Sequence, residues 1–247
     1  ARKLADIPVN AAPAGDRPAP VFVIGLPRTG TTLVDRILSS HSQASSVGEL
    51  TNFALHLKQA ARTASPLVLD ADTLLAASDV DLGAVGARYL DSAARLHGGA
   101  PFFVDKMPLN FFFAPALLAA LTSARIICLK RGAMDACVSN FRQLLAAGFS
   151  YYNYALDLED TARYFAGFER LTSLWRERLP AGRYLEVRYE DLVRAQEETT
   201  RRLLTFCGLP WEDACLDFHR NAAPVATASS VQVRQPLYAT SIGRWRR

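Results

Sequence analysis

Residues 25–32 read Gly-Leu-Pro-Arg-Thr-Gly-Thr-Thr and follow the apolar run Val21–Ile24. A short apolar strand that turns through Gly and Pro into a helix start makes a cradle for phosphate. Backbone N–H groups and the positive end of the helix converge there. The nucleotide-loop pattern G-x-x-x-x-G-K-[ST] would run from Gly25 to Thr32, and its lysine position is occupied by Thr31. Arg28 offers a planar fork for an anionic oxygen, and Thr29, Thr31 and Thr32 add hydroxyl donors. The lysine that would reach across β- and γ-phosphates is missing, so the loop suits a phosphate that is not part of ATP or GTP.

A second basic position follows the apolar run Arg125–Leu129. Lys130-Arg131-Gly132 lies where such a strand ends, the side on which open α/β sheets bind ligands. Ser139 reaches the same anion only if the intervening turn folds back, and on the residues alone Arg131 fits a surface ion pair equally well. Residues 227–236 are hydroxyl-rich without a clean period and precede Ile242-Gly243-Arg244-Trp245. A segment of this kind is either a binding loop or a disordered tail. Glu49 and His41 carry no catalytic signal on the residues alone. The ordinary roles for them are a solvated carboxylate at a helix start and a histidine at a helix end. No obvious magnesium-binding aspartate follows a second strand, which argues against a kinase or NTPase; Asp105 is the only candidate, and Lys106-Met107-Pro108 follows it.

These positions need a scaffold. Val21–Ile24, Phe102–Val104, Arg125–Leu129 and Arg183–Val187 read as strands. Helical stretches are expected at 32–40, 50–62, 83–97, 112–122, 134–147, 158–178 and 192–206. Asp191 is expected to cap the last, and Gly208 and Pro210 to stop it. Strands alternating with helices predict an α/β, P-loop-like three-layer fold with a mostly parallel central sheet flanked by helices. One domain over 21–247 fits the 247 residues. The Ala/Pro-rich residues 1–20 read as a linker or a cut edge, and both termini as those of a fragment.

Half of the residues are hydrophobic and 21% are charged, which is globular composition. The net charge of +4 suits an anionic ligand or an acidic peptide. It is too scattered for nucleic acid. Cys128, Cys137, Cys207 and Cys215 have no metal-ligand spacing, so buried free thiols in a reducing, cytoplasmic setting are expected. The longest apolar stretch, Phe111–Leu121, contains Pro115 and is too short to span a membrane.

Taken in order, seven segments resemble sulfotransferases that use 3′-phosphoadenosine 5′-phosphosulfate (PAPS). They are GLPRTGTT at 25–32, VGEL at 47–50, DKMPLN at 105–110, KRGAMDACVSNF at 130–141, VRYEDL at 187–192, FCGLPW at 206–211, and VATASSVQVRQPLY with SIGRW at 225–245. The resemblance is nearest to the branch of tyrosylprotein sulfotransferases and bacterial sulfotransferases with tetratricopeptide repeats.

The resemblance implies that Arg28, Thr29, Gly30, Thr31 and Thr32 hold the 5′-phosphosulfate and that Arg131 and Ser139 hold the 3′-phosphate. Tyr189 would contact the donor. The late segment, with Ser229, Ser230, Gln232 and Val233, would close over it together with Arg244. Glu49 would be the catalytic base, with His41 the rival because other branches use a histidine, and Lys106, Arg28 and Ser229 would stabilise charge at the transferring group. Gly132-Ala133 after Arg131 departs from the usual Asp-Pro or Asp-Gly. The expected helical repeats upstream and the helix after SIGRW are missing, which implies an isolated catalytic module.

The implied reaction moves a sulfuryl group to an acceptor hydroxyl by in-line displacement and releases adenosine 3′,5′-bisphosphate, with no metal. The acceptor is open between a protein tyrosine in an acidic peptide, a small phenol and a glycan, and its contacts are expected from residues 50–100. Arg62, Lys58 and Arg88 are candidates there, although solvated helix charges are the commoner role. A P-loop kinase or NTPase and a non-catalytic binding module are the alternatives. No nucleic acid or membrane partner is expected, and a dimer is compatible with the sequence.

Overall fold

The computed structural model describes residues 2–13, 18–143, 145, 150–224 and 231–246. Five parallel strands form one sheet in the order β2-β3-β1-β4-β5. They are β1 Ala19–Gly25, β2 Ala44–Gly48, β3 Phe102–Asp105, β4 Arg125–Lys130 and β5 Tyr184–Arg188. The central strands are apolar on both faces because both faces are covered. Phe22, Ile24, Phe103, Ile126 and Cys128 join one core, and Val21, Val23, Phe102, Val104, Ile127 and Leu129 join the other.

The first core is closed by α1 Arg2–Ala5, α3 Asn52–Ala61, α5 Leu82–Ala93, α6 Ala114–Ala120 and α8 Leu158–Arg178; α4 Ala71–Ala76 lies between α3 and α5 in sequence. Trp175 of α8 is fully buried there, and its indole N–H donates to the Phe111 carbonyl at 2.8 Å. The second core is closed by α2 Thr31–Leu38 and α10 Gln196–Cys207. Two remaining helices, α7 Ala133–Phe141 and α9 Tyr189–Arg194, follow β4 and β5 directly. The molecule is thus the three-layer α/β fold that the alternation of elements predicts. All four cysteines are buried with free thiols.

Several elements differ from the sequence reading. The edge strand β2, Ala-Ser-Ser-Val-Gly, carries too little apolar signal to be read as a strand, and its pairing with β3 shifts register between Ser46 and Gly48. The helix expected at 134–147 ends at Phe141. A 3-10 turn at Pro108–Phe113 precedes α6. The helix expected at 192–206 is two helices, and Asp191 lies inside the first. Its carbonyl accepts the Ala195 N–H at 2.8 Å, and no side chain caps α10. Residues 2–8 are not a free linker: Leu4 and Ile7, one turn apart, are buried against the first core. Among the described residues no helix is long and apolar enough to cross a membrane.

Candidate active site

The chain builds β2 and β3 on one side of β1 and then crosses to β4 and β5 on the other. The loops that follow β1 and β4 therefore part company at the carboxyl ends of two neighbouring strands, which opens a crevice. A cavity of about 340 Å³ lies there. Its walls include Arg28, Gly30 and Thr32 after β1, Arg131 and Ser139 after β4, and Tyr189 after β5. Gln232, Val233 and Arg244 come from the late segment. Nine positions named from the sequence thus meet at one place, with Ser139 of α7 lining the same cavity as Arg131.

The loop itself is tightly built. Thr29 turns back on Leu26, with its hydroxyl donating to the Leu26 carbonyl at 2.7 Å and its N–H to the same carbonyl at 3.3 Å. Arg28 consequently adopts φ 66°, an uncommon conformation for a residue with a side chain and one that clusters at functional sites. Its guanidinium donates to Gln232 Oε1 at 3.0 Å, which joins loop and late segment. Burial and the neighbouring Arg131 lower the pKa of Arg28. Gly30 has φ 101° and lies against the Tyr189 ring, where a Cβ would come within 2.6 Å of Tyr189 Cδ2. No side chain caps α2 at Gly30. Thr29 and Thr31 are buried beneath the loop and are not among the cavity walls.

Arg131 is held from three sides. It donates to the Arg28 carbonyl and to the Ser241 carbonyl, both at 2.7 Å, and its guanidinium lies 4.7 Å from the centre of the Tyr189 ring. Its Nε is buried without a hydrogen-bond partner among the described residues. The Tyr189 hydroxyl and Ser241 Oγ are 2.5 Å apart. Asn140, one residue after Ser139, donates to the Pro27 carbonyl at 2.8 Å and accepts from the Tyr154 hydroxyl at 3.0 Å. The departure Gly132-Ala133 is accommodated: the Gly132 N–H donates to Glu190 Oε1 at 2.8 Å and α7 starts at Ala133.

A second cluster sits beside this one at the ends of β2 and β3. Glu49 follows β2, Lys106 follows β3, and the two form an ion pair. The Lys106 side chain is 2% exposed and that of Glu49 is 37% exposed, so the carboxylate is the member a ligand can reach. Asp35 of α2 and Asp105 of β3 lie beneath them. Burial pushes Asp35 up to about 6 and Asp105 up to about 7, with Lys106 opposing both shifts. Asp105 accepts from the Tyr89 hydroxyl at 2.7 Å and from the Leu50 N–H at 3.3 Å, which fixes the turn carrying Glu49. Asp35, Tyr89 and Asp105 went unnoticed as site supports because none sits in a phosphate-binding pattern. Among the described residues no group of His, Cys, Asp and Glu is arranged to hold a metal ion.

His41 lies elsewhere. It precedes β2, at the amino end of the strand whose carboxyl end leads into Glu49. Its Nδ1 accepts the Gln43 N–H at 3.0 Å, and its Nε2 faces the Pro210 carbonyl at 3.1 Å and Glu212 at 3.4 Å. Lys58 is bound to Asp70 at 2.7 Å, Arg62 closes the end of α3, and Arg88 is exposed. Ser229 and Ser230 lie outside the described residues.

The model of the Sulfotransferase family matches residues 20–213. An uncharacterized protein of Aquifex aeolicus is 34% identical over 238 residues, which cover 92% of this chain and 30% of that protein. The protein-tyrosine sulfotransferase of Drosophila melanogaster is 24% identical over 236 residues, covering 91% of this chain and 46% of that protein. The chain therefore spans less than half the length of these two relatives. Among solved structures, the sulfotransferase domain from the curacin biosynthetic pathway superposes with a TM-score of 0.64 at 18% identity, covering 94% of this chain and 92% of that one. A mouse sulfotransferase complexed with PAP gives 0.54 at 12% identity, covering 99% and 84%. At such identities these two likenesses concern the fold.

Proposed function

The chain belongs to the sulfotransferase family, and from that premise we propose that it transfers a sulfuryl group from 3′-phosphoadenosine 5′-phosphosulfate to an acceptor hydroxyl. The observation that carries the donor assignment is the convergence of Arg28 and Arg131 on one cavity, with Arg244 at its rim. Two anionic ends of a single ligand suit two cationic anchors, and the buried Nε of Arg131, without a partner among the described residues, is a donor a ligand oxygen can satisfy. Membership of the family sets aside phosphoryl transfer, the alternative the loop raised.

Within this reading the donor carries an activated sulfur–oxygen bond that breaks as the acceptor oxygen attacks. Gly30 and Thr32 at the start of α2, with Arg28, hold the phosphosulfate end; Arg131 and Ser139 hold the 3′-phosphate, and Tyr189, Gln232, Val233 and Arg244 wall the cavity between. Thr29 and Thr31 shape the loop from below. Ser229 and Ser230 keep the donor-closing role that the resemblance implies. Glu49 removes the proton of the acceptor hydroxyl, and its partial exposure beside a buried Lys106 suits that task. Lys106 and Arg28 balance the negative charge that develops around the transferring group. The acceptor we propose is a phenolic hydroxyl, a tyrosyl side chain foremost, received from the side of residues 50–100. The Drosophila relative's name and the positive net charge support it.

The test is in two steps. Thermal shift should register stabilisation by adenosine 3′,5′-bisphosphate and none by ATP with magnesium; the reverse pattern rules out the donor. Mass spectrometry of tyrosine peptides, small phenols and glycans incubated with PAPS then identifies the acceptor. Sulfate gained by glycans alone would overturn the phenolic assignment.

A further inference from the structure

An anion-binding cavity is a poor place for a carboxylate, yet Asp135 lines this one together with Arg28, Arg131, Arg142 and Arg244. Its carboxylate is spent on the backbone. Asp135 Oδ2 accepts the Gly243 N–H at 2.7 Å and Oδ1 accepts the Trp245 N–H at 3.3 Å. Gly243 has φ 71°, a conformation in which alternate amides can turn toward one acceptor. The residue between the two amides is Arg244.

We propose that Asp135 is a positioning residue for the donor site, gathering the amides on either side of Arg244 and so setting that guanidinium at the rim of the cavity. The proposal rests on the donor reading above. Three independent elements converge on the same short segment. α7 contributes Asp135, the end of β4 contributes Arg131 through the Ser241 carbonyl, and the start of α9 contributes Tyr189 through Ser241 Oγ. All three, Asp135, Arg131 and Tyr189, line the cavity. Asp135 completes the set from the first turn of α7. It is buried, at 7% exposure, so its hydrogen bonds are sheltered from competing water. An acidic residue in the first turn of a helix is ordinary by itself. Two backbone amides from more than a hundred residues away are what set this one apart.

Asp135→Asn removes one of the two acceptor oxygens and turns an NH2 group toward an N–H. Calorimetric titration of adenosine 3′,5′-bisphosphate into the wild type, Asp135→Asn, Arg244→Ala and the double variant tests the idea. Loss of a charge-assisted hydrogen bond predicts about tenfold weaker binding for Asp135→Asn. The double variant should bind no more weakly than Arg244→Ala alone, because Asp135 acts through Arg244. Unchanged binding by Asp135→Asn, or losses that multiply in the double variant, would overturn the proposal. Hydrogen exchange at the Gly243 and Trp245 amides, faster by about tenfold in Asp135→Asn, reads the latch without any ligand. A wild type that ignores the bisphosphate while this exchange difference persists would sink the donor reading alone. Unaltered exchange would sink the latch. Asp135→Ser, with one short acceptor, takes the place of Asp135→Asn if the latter does not fold.

Discussion

Arg131 donates at 2.7 Å to the backbone carbonyl of Arg28, a residue 103 positions earlier in the chain, and with its other terminal nitrogen to Ser241, 110 positions later. One guanidinium thereby ties the loop after β1, the loop after β4 and the late segment into a single cavity wall.

The fork geometry of Arg131 predicts its own test. Lysine keeps the charge but offers a point donor on a flexible stem, so it cannot serve both carbonyls and a ligand oxygen together. Arg131→Lys should weaken adenosine 3′,5′-bisphosphate binding by about 10- to 100-fold in a calorimetric titration. Wild-type affinity in the lysine variant would mean that charge alone suffices and that the bridging role is immaterial.

Glu49 and His41 separate by function. Glu49→Gln should lower kcat by at least about a hundredfold, the usual worth of a positioned base, while bisphosphate binding survives. His41→Ala should leave turnover standing and lower Tm, because the imidazole is fully buried among Gln43, Pro210 and Glu212. Radiolabelled sulfate transfer measured beside a thermal melt decides between them. Turnover lost in the histidine variant and kept in the glutamine variant would reverse the assignment.

At Gly30 the backbone and the neighbour both exclude a side chain. Gly30→Ala places a Cβ 2.6 Å from the Tyr189 ring at φ 101° and should cost about 1–3 kcal/mol of stability, together with donor affinity. Adding Tyr189→Ala relieves the contact and leaves the backbone strain, so stability should recover only in part. Urea unfolding of the three proteins reads this out; full recovery would locate the whole effect in the ring.

The buried carboxyl of Asp105 gives stability a pH dependence of known sign. Its folded-state pKa is raised to about 7, above the ordinary carboxylate value near 4. Between those limits the folded chain keeps a proton that the unfolded chain has released. The group's contribution therefore falls as pH rises through this window and is level beyond it. Asp105→Asn, which resembles the protonated form, should gain stability relative to the wild type from about pH 4 to about pH 7. A difference between the two melting curves that stays flat across that range, or runs the other way, would show that the carboxyl is ionised throughout.

Much of this was legible in the sequence, for a physical reason. Val21–Ile24 and Arg125–Leu129 are buried on both faces, and such strands advertise themselves as unbroken apolar runs. Phosphate-binding chemistry is local to a loop, so Arg28, Gly30 and Thr32 could be named before their neighbours were known. The edge strand β2 could not be read, because Ala-Ser-Ser-Val-Gly is half-exposed and polar. The split between α9 and α10 falls at Ala195, whose non-helical backbone, φ −136° and ψ 65°, leaves no mark on composition. Asp135, Asp105 and Tyr89 act through partners distant in the chain, and spacing carries no trace of such contacts.

The order of the strands divides labour across the sheet. On the proposed function, what grips the donor arises after β1, β4 and β5, whereas Glu49 and Lys106 follow β2 and β3. Those last two strands are neighbours joined by the excursion of residues 49–101, which never passes through the donor half. The cavity walls named above all lie outside that excursion, which begins with Glu49. On the proposed function, the choice of acceptor hydroxyl and the grip on the donor therefore sit in separate stretches of the chain.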